Sequence, residues 1–408
     1  MFKNLDDWFS HIKQIHQKRM ELGLDRIAVV ADRLELRLFS CPVITVGGTN
    51  GKGSCTKTLE SIYSAAGYKT GLYTSPHLME FNERIRIQNQ AISDDALIDA
   101  FEIVEHARAN IILSFFEFTT LAALWLFQQS DCDVLILEVG LGGRLDAVNI
   151  VESDVAIVTS IALDHQDWLG DNCDAIAYEK ASIARENKPF ICGDIDPPAR
   201  LFETVAEKKA ILYLSNRDFF YPAQLPVPHL KQQNVATAIA AIELLQNVLP
   251  VSVDQMAQGI CNTVLPGRFE LISSPLPCVL DVAHNPQAST WLAEQVRQLP
   301  RAKKTIAVIG MLNDKAIIET IEPLLPLVDV WCVCSLLSEN EERGSDGAVI
   351  IQYLQTQQHK NCYNFLSVSD AMDFAKQRHC QAECDRVLIF GSFYTVASAK
   401  KWLAAAAV

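Results

Sequence analysis

Apolar, β-branched runs alternate with helix-periodic segments along nearly the whole chain. Strands of a parallel sheet covered on both faces read as continuous apolar runs, so this alternation predicts an α/β fold. The pattern predicts strands over 43–46, 69–73, 134–139, 155–159, 189–192 and 211–214. It predicts helices over 54–66, 94–109, 117–129, 175–186 and 233–248. A second alternating series, Rossmann-like in pattern, begins near 278, with strands over 278–282, 305–309, 328–334 and 387–390 and helices between them. Three prolines within 221–229 mark a surface loop, and Leu265-Pro266-Gly267-Arg268 marks a hinge between the two series. A short alanine run near the C-terminus reads as a helix end.

The first predicted strand runs into Gly47-Gly48-Thr49-Asn50-Gly51-Lys52-Gly53-Ser54, after which helix-compatible sequence resumes. Strand, glycine loop, lysine and helix form the layout of a phosphate cradle. Inward-turned N–H groups and the helix N-terminus attract an anion, and the lysine meets the β- and γ-phosphates. The usual Walker pattern is not fully met: Val46 stands at its first glycine and Gly53 separates Lys52 from Ser54. A chance glycine turn is the bland alternative, and the flanking strand and helix favour a nucleoside triphosphate site.

Four other stretches carry polar groups at predicted strand ends or on a helix. Ser75, in Thr74-Ser75-Pro76-His77, offers a hydroxyl suited to magnesium, although a Ser-Pro turn alone would be unremarkable in a loop. Glu138 ends an apolar run in the manner of a Walker B strand, and the Gly140–Gly143 turn after it can bring backbone close to a ligand. His165 follows another strand, where it could bind metal or donate to phosphate. Lys180, by spacing alone, reads as an ordinary solvent-facing helical lysine. Beyond the hinge, Asp281-Val-Ala-His284-Asn285-Pro286 sits at a strand's carboxyl end, where open α/β sheets bind ligands.

Composition narrows the classes. The 408 residues suffice for two domains, and 49% apolar content fits a folded globular chain. A formal charge of −14 argues against a nucleic-acid or anionic-membrane partner, both of which need basic surface. The N-terminus is charged and amphipathic without a signal-peptide core, and the apolar stretch 111–127 is interrupted by Glu117 and too short to span a bilayer, so a cytoplasmic location is expected. Twelve cysteines without a scaffold rhythm suit a reducing compartment. Cys332/Cys334 and Cys380/Cys384 are read as buried, inert thiols rather than zinc ligands, because neither pair has well-spaced histidines.

Taken together, these segments resemble the Mur ligase superfamily, specifically the dihydrofolate synthase/folylpolyglutamate synthase family. The likeness runs through Gly48-Thr-Asn-Gly-Lys-Gly-Ser54, Ser75-Pro-His-Leu78, Phe116-Glu-Phe118, 137–147, 163–170, Leu265-Pro-Gly-Arg268 and Asp281-Val-Ala-His-Asn-Pro286. It implies a P-loop ATPase-like N-terminal domain with a mainly parallel sheet, over 1–267, and a smaller Rossmann-like C-terminal domain, over 268–408. By resemblance, Thr49, Asn50, Gly51, Lys52, Asn234, Arg268 and Asp281 contact ATP. Ser75, Glu138, His165 and a carbamylated Lys180 hold magnesium, two ions in all. Lys52, Lys180 and His284 are the catalytic residues. Gln14, Ile15, His16, Gln17, Ser114, Phe115, Phe116, Glu117, Leu145, Asp146 and Ala147 line the pterin substrate. Dihydropteroate, tetrahydrofolate with its polyglutamates, L-glutamate and ATP are the implied partners of a monomer. The second domain is expected to close on the first. Three rivals remain at this point: a monofunctional folylpolyglutamate synthase, a peptidoglycan-precursor ligase, and a nucleotide-binding regulatory protein. Only about forty residues precede the loop, too few for the extra domain of the peptidoglycan enzymes, and no Asn-Lys-x-Asp guanine motif is found.

Overall fold

A computed structural model describes residues 2–16, 21–339, 342–381 and 386–407. The chain divides into two units, Met1–Val264 and Leu265–Val408, where the sequence expectation set the division after Gly267. The first unit opens with α1 (Leu5–Ile15) and α2 (Asp25–Arg33), followed by β1 (Val43–Gly47), α3 (Lys52–Ala65) and β2 (Thr70–Tyr73). A short hairpin, β3 (Ile85–Ile87) and β4 (Gln90–Ala91), leads to α4 (Asp94–Arg108), α5 (Phe115–Gln129) and β5 (Val134–Glu138). Then come β6 (Val155–Val158), α6 (Gln166–Leu169), α7 (Cys173–Ala181), β7 (Pro189–Cys192), α8 (Ala199–Glu207), β8 (Ile211–Leu214), α9 (Gln232–Leu244) and α10 (Val253–Cys261). The predicted helix over 175–186 therefore starts and stops earlier, and residues 221–229 form no helix or strand, as expected of a loop.

The sheet order is β4-β3-β2-β5-β1-β6-β7-β8, parallel from β2 to β8 with the β3–β4 hairpin antiparallel on one edge. Because β5 inserts between β2 and β1, chain order reverses around β1, and ligands bind at such switch points. Register fixes the neighbours: Val46 lies opposite Glu138, Gly47 opposite Val158, and Tyr73 opposite Leu137. The residues following β1, β2, β5 and β6 consequently emerge along one edge of the sheet.

The opposite edge is clasped. The carboxylate of Asp133, just before β5, accepts the Lys69 N–H at 2.7 Å, and the Asp133 N–H donates to the Lys69 carbonyl at 2.8 Å. Asp154, just before β6, makes the same pair of bonds with Val43, at 3.0 and 2.8 Å. Each clasp joins the starts of two neighbouring parallel strands. The helices α1, α2, α4 and α5 share one apolar core with β1 and β5, which includes Trp8, Phe101, Phe118 and Leu135. A second core lies under α7 and α8, around Ile176, Phe190 and Leu201.

The second unit carries β9 (Glu270–Ile272), β10 (Cys278–Leu280), α11 (Pro286–Gln298), β11 (Thr305–Ile309), α12 (Ile317–Ile321), β12 (Val330–Cys334), α13 (Ala348–Thr356), β13 (Cys362–Phe365), α14 (Val368–Cys380), β14 (Arg386–Phe390) and α15 (Phe393–Ala406). Its order is β13-β12-β11-β14-β10-β9, parallel except for β9. Asp329 clasps Thr305 as the other two aspartates clasp their partners. The alanine run is the last turn of α15. Cys332 and Cys334 are fully buried on β12, as expected of inert buried thiols, but Cys380, at the end of α14, is exposed where burial was expected, and Cys384 falls outside the described residues. Among the described residues no helix is long and apolar enough to cross a membrane.

Candidate functional site

The loop between β1 and α3 is stitched to the segment after β6. Thr49 N–H donates to the Ser160 carbonyl at 2.7 Å, and the Thr49 hydroxyl donates to the Ala162 carbonyl and accepts the Ala162 N–H, both at 3.1 Å. Lys52 is the first residue of α3, and its ammonium folds back to donate to the Gly48 and Thr49 carbonyls at 3.0 and 3.3 Å. Gly51 caps the helix at φ +90°, in the left-handed region that glycine adopts without strain. A Cβ there would lie 2.4 Å from the amide oxygen of Asn234, which is buried near the start of α9. The start of α9 thus packs against the loop at Gly51.

Glu138 ends β5 and is buried at 4% exposure. Its carboxylate accepts the Ser75 N–H at 3.4 Å from the end of neighbouring β2. A carboxylate bonded to the backbone of a serine supplies oxygen chemistry of the kind a hard cation prefers. His165 adopts φ +52° at the start of α6, with Nε2 at 3.9 Å from Asp164. Among the described residues no three His, Cys, Asp or Glu side chains gather as a metal cluster.

Spacing placed Lys180 in solvent, and the structure corrects this: the side chain is 4% exposed. Its burial follows from the glycine turn after Glu138. A Cβ at Gly143 would lie 2.7 Å from the Glu179 carbonyl and 3.2 Å from the Lys180 Cα, so α7 packs directly on that backbone. The Arg144 N–H donates to the Glu179 carbonyl at 2.9 Å, and its guanidinium bonds the Glu179 carboxylate at 2.9 Å. The close approach expected of this turn is therefore made to protein: α7 at Gly143 and the Phe116 ring at Gly140. Burial, and then the nearby Lys52 charge, pull the Lys180 pKa down from 10.5 to about 7. Asp146 and Asp164 act in the opposite direction on the same ammonium. Burial also raises Asp146 to about 6, against the N–H groups of Leu141 and Val148 that its carboxylate accepts.

The residues expected at the pterin are partly committed to structure. Ser114 and Glu117 form the capping box of α5, and both Glu117 oxygens take a bond from Arg26 at 3.2 Å. Arg26 also pairs with Glu21 at 3.1 Å, and Glu21 with His16 at 2.7 Å, which ties the end of α1 to the start of α5. Sequence reasoning did not single out Arg26 or Glu21, because nothing local marks a pairing across ninety-one positions. Phe116 stacks near Tyr73, with centroids 5.9 Å apart, and Phe115 packs edge-on against Phe81. Leu145 and Ala147 flank the buried Asp146, Gln14 is exposed, Ile15 is half-buried, and Gln17 falls outside the described residues.

In the second unit, Asp281 follows β10 and is buried. Its two oxygens accept the Phe269 and Ala283 N–H groups, both at 2.8 Å. Burial raises its pKa, and the Arg268 charge opposes that rise. The His284 Nδ1 donates to the Val282 carbonyl at 2.8 Å. Phe393 lies 5.7 Å from the Arg268 guanidinium and 6.2 Å from the His284 ring, so these residues form one cluster.

Comparison with known proteins matches residues 46–218 to the Mur ligase middle domain and 267–393 to the Mur ligase glutamate ligase domain. The chain is 43% identical to the dihydrofolate synthase/folylpolyglutamate synthase of Escherichia coli (strain K12), covering 96% of this chain and 94% of that one. It superposes with a TM-score of 0.92 on E. coli FolC in complex with DHPP and ADP, at 42% identity, covering 99% of this chain and 98% of that one. A crystal structure of a bifunctional folylpolyglutamate synthase/dihydrofolate synthase with Mn, AMPPNP and L-glutamate bound matches at TM-score 0.89 and 39% identity, covering 98% of each chain. The chain belongs to the dihydrofolate synthase/folylpolyglutamate synthase family of Mur ligases.

Proposed function

We propose that this protein is an ATP-dependent amide ligase that joins L-glutamate to dihydropteroate, forming dihydrofolate, and to tetrahydrofolate, forming polyglutamates. The observation that carries the reading is the convergence of four strand ends at one sheet edge. They present a lysine-bearing glycine loop, a buried glutamate beside a serine, and the His165 segment, and α7 sets a buried lysine against the turn after β5, in a chain similar to E. coli FolC solved in complex with DHPP and ADP. A carboxylate is a poor electrophile because its leaving group would be oxide. Transfer of the ATP γ-phosphoryl group makes an acyl phosphate, and the glutamate amine then displaces phosphate to form the amide.

Thr49 to Lys52 and Asn234 are assigned to the nucleotide phosphates, with Lys52 placed to meet charge on the transferred group. Ser75, Glu138, His165 and a carbamate on Lys180 are assigned to magnesium, which when bound neutralises phosphate charge. The metal's identity and a count of two ions belong to this proposal; the relatives support a divalent metal through manganese. In the second unit Arg268 and Asp281 are assigned to nucleotide, and His284 to transfer. The pterin is assigned to the aromatic faces of Phe115 and Phe116 and to the 145–147 turn, with Gln14 to Gln17 completing it. Glu117 then acts by holding its helix and Arg26. A monomer in the cytoplasm is part of the same reading.

The test is ATP-dependent incorporation of labelled glutamate into dihydropteroate and, separately, into tetrahydrofolate. Both products are expected, and a folded Lys52→Ala protein should lose at least about 100-fold in turnover. Near-normal ligation by that variant would remove the phosphate-cradle assignment.

A further inference from the structure

The segment after β6 does more than deliver His165. The Thr159 hydroxyl donates to the Asn50 carbonyl at 2.7 Å and lies 3.2 Å from the Gly47 carbonyl. The Ser160 hydroxyl donates to the same Asn50 carbonyl at 3.0 Å and accepts the Asn50 N–H at 3.1 Å. Together with the Thr49 bonds to Ser160 and Ala162, the Thr49 N–H and both the N–H and the carbonyl of Asn50 are bonded by residues 159–162, while the Thr49 carbonyl accepts from Lys52. The segment is in turn anchored from β7, where the Asp194 carboxylate accepts the Ile161 N–H at 2.7 Å.

Two hydroxyls on one carbonyl fix a peptide plane. In a trans peptide the C=O and the following N–H point in opposite directions. Pinning the Asn50 oxygen toward β6 therefore turns the Gly51 N–H away from β6. The Asn234 amide blocks any Cβ at Gly51, so this peptide is constrained on both sides. Phosphate cradles work through N–H groups fixed in advance.

We propose that Thr159 and Ser160 are positioning residues for nucleotide phosphate, acting through the Asn50–Gly51 peptide. The inference rests on the reading that residues 49–52 hold those phosphates. It also makes the phosphate loop and the His165 segment one hydrogen-bonded piece, so that phosphate and metal sites share a support.

Titration calorimetry of the full chain with AMP, ADP and AMPPNP tests it, on wild type, Ser160→Ala, Thr159→Val, Ser160→Thr and Lys52→Ala. Ser160→Ala and Thr159→Val should each weaken ADP and AMPPNP by about tenfold, the order of one lost hydrogen bond, while AMP binding is unchanged. Ser160→Thr, which keeps the hydroxyl, should restore ADP binding. Thr159→Val preserves the shape of a buried side chain and Ser160 is half-buried, so either variant alone is decisive if the other fails to fold. Equal weakening of AMP and ADP would mean a merely loosened loop, and unchanged ADP binding would mean no role; both overturn the inference. If Lys52→Ala also left ADP binding intact, the cradle reading itself would fall. Loss with Lys52→Ala but not with the two hydroxyl variants would overturn the positioning role alone.

Discussion

Lys180 concentrates what one residue can and cannot reveal. Its spacing on α7 says nothing of burial, because the backbone that covers it, at Gly143, lies thirty-seven positions earlier in the chain. The glycines were visible in the sequence as a turn, but their contact with α7 is a tertiary fact. Burial changes the chemistry available. Carbamylation needs the neutral amine, and an ordinary lysine is almost wholly protonated at pH 8. With its pKa drawn down to about 7, the Lys180 amine is mostly neutral there. Under ¹³C-labelled bicarbonate, a carbamate carbon signal is expected to grow as pH rises through about 7 and to be absent from Lys180→Ala. The same depression has a stability consequence. Between about 7 and 10.5 the unfolded lysine binds a proton that the folded one does not, so its contribution to stability rises with pH across that window. No carbamate signal at any pH up to 9, in protein with bicarbonate and magnesium, would dispose of the modification.

At the scale of elements, strands buried on both faces were legible as apolar runs, and most boundaries shifted by only one or two residues. The β3–β4 hairpin was not legible: its turn, Gln88-Asn89, takes positive φ at both positions without the glycine that usually marks one. The α1 and α2 helices also precede any run the pattern singles out, although Asn4 caps α1 and Asp6 and Asp7 occupy its first turn. One device was written plainly and is recognised only with the register in hand. Asp133-Val134, Asp154-Val155 and Asp329-Val330 each set an aspartate immediately before a parallel strand, and each aspartate clasps its neighbour. A hydrogen bond to a charged acceptor contributes about 1.5–3 kcal/mol. Removing the Asp154 carboxylate should therefore loosen the start of β1 without reaching Lys52 at the other end. In Asp154→Ala, hydrogen exchange at the Val43 amide is expected to accelerate about tenfold or more, with the Thr305 amide unchanged. Asp154→Asn, which keeps an acceptor oxygen, should recover most of the protection. Unaltered exchange at Val43 in the alanine variant would show that the clasp contributes nothing.

At the scale of the whole molecule, the question is whether one site serves two acceptors. The carboxylates differ: a benzoate in dihydropteroate, and the γ-carboxylate of an existing glutamate in tetrahydrofolate. The reaction does not differ, because both become acyl phosphates attacked by the same amine. Everything assigned to the nucleotide, the metal and Lys180 lies outside the part of the substrate that changes. Only the residues proposed to line the pterin, Phe115, Phe116 and the 145–147 turn, must tolerate a shift of the ring relative to the phosphate. The near full-length likeness to enzymes named for both activities favours a single dual-purpose site over a monofunctional folylpolyglutamate synthase. One site makes a strict kinetic demand. Dihydropteroate and tetrahydrofolate should inhibit each other's glutamylation competitively, each with a Ki equal to its own KM, and Lys52→Ala should abolish both reactions together. Non-competitive mutual inhibition, or loss of one activity without the other, would require separate sites. Extension of tetrahydrofolate with no conversion of dihydropteroate would instead identify the monofunctional enzyme, with the catalytic geometry unchanged and the difference confined to the pterin pocket.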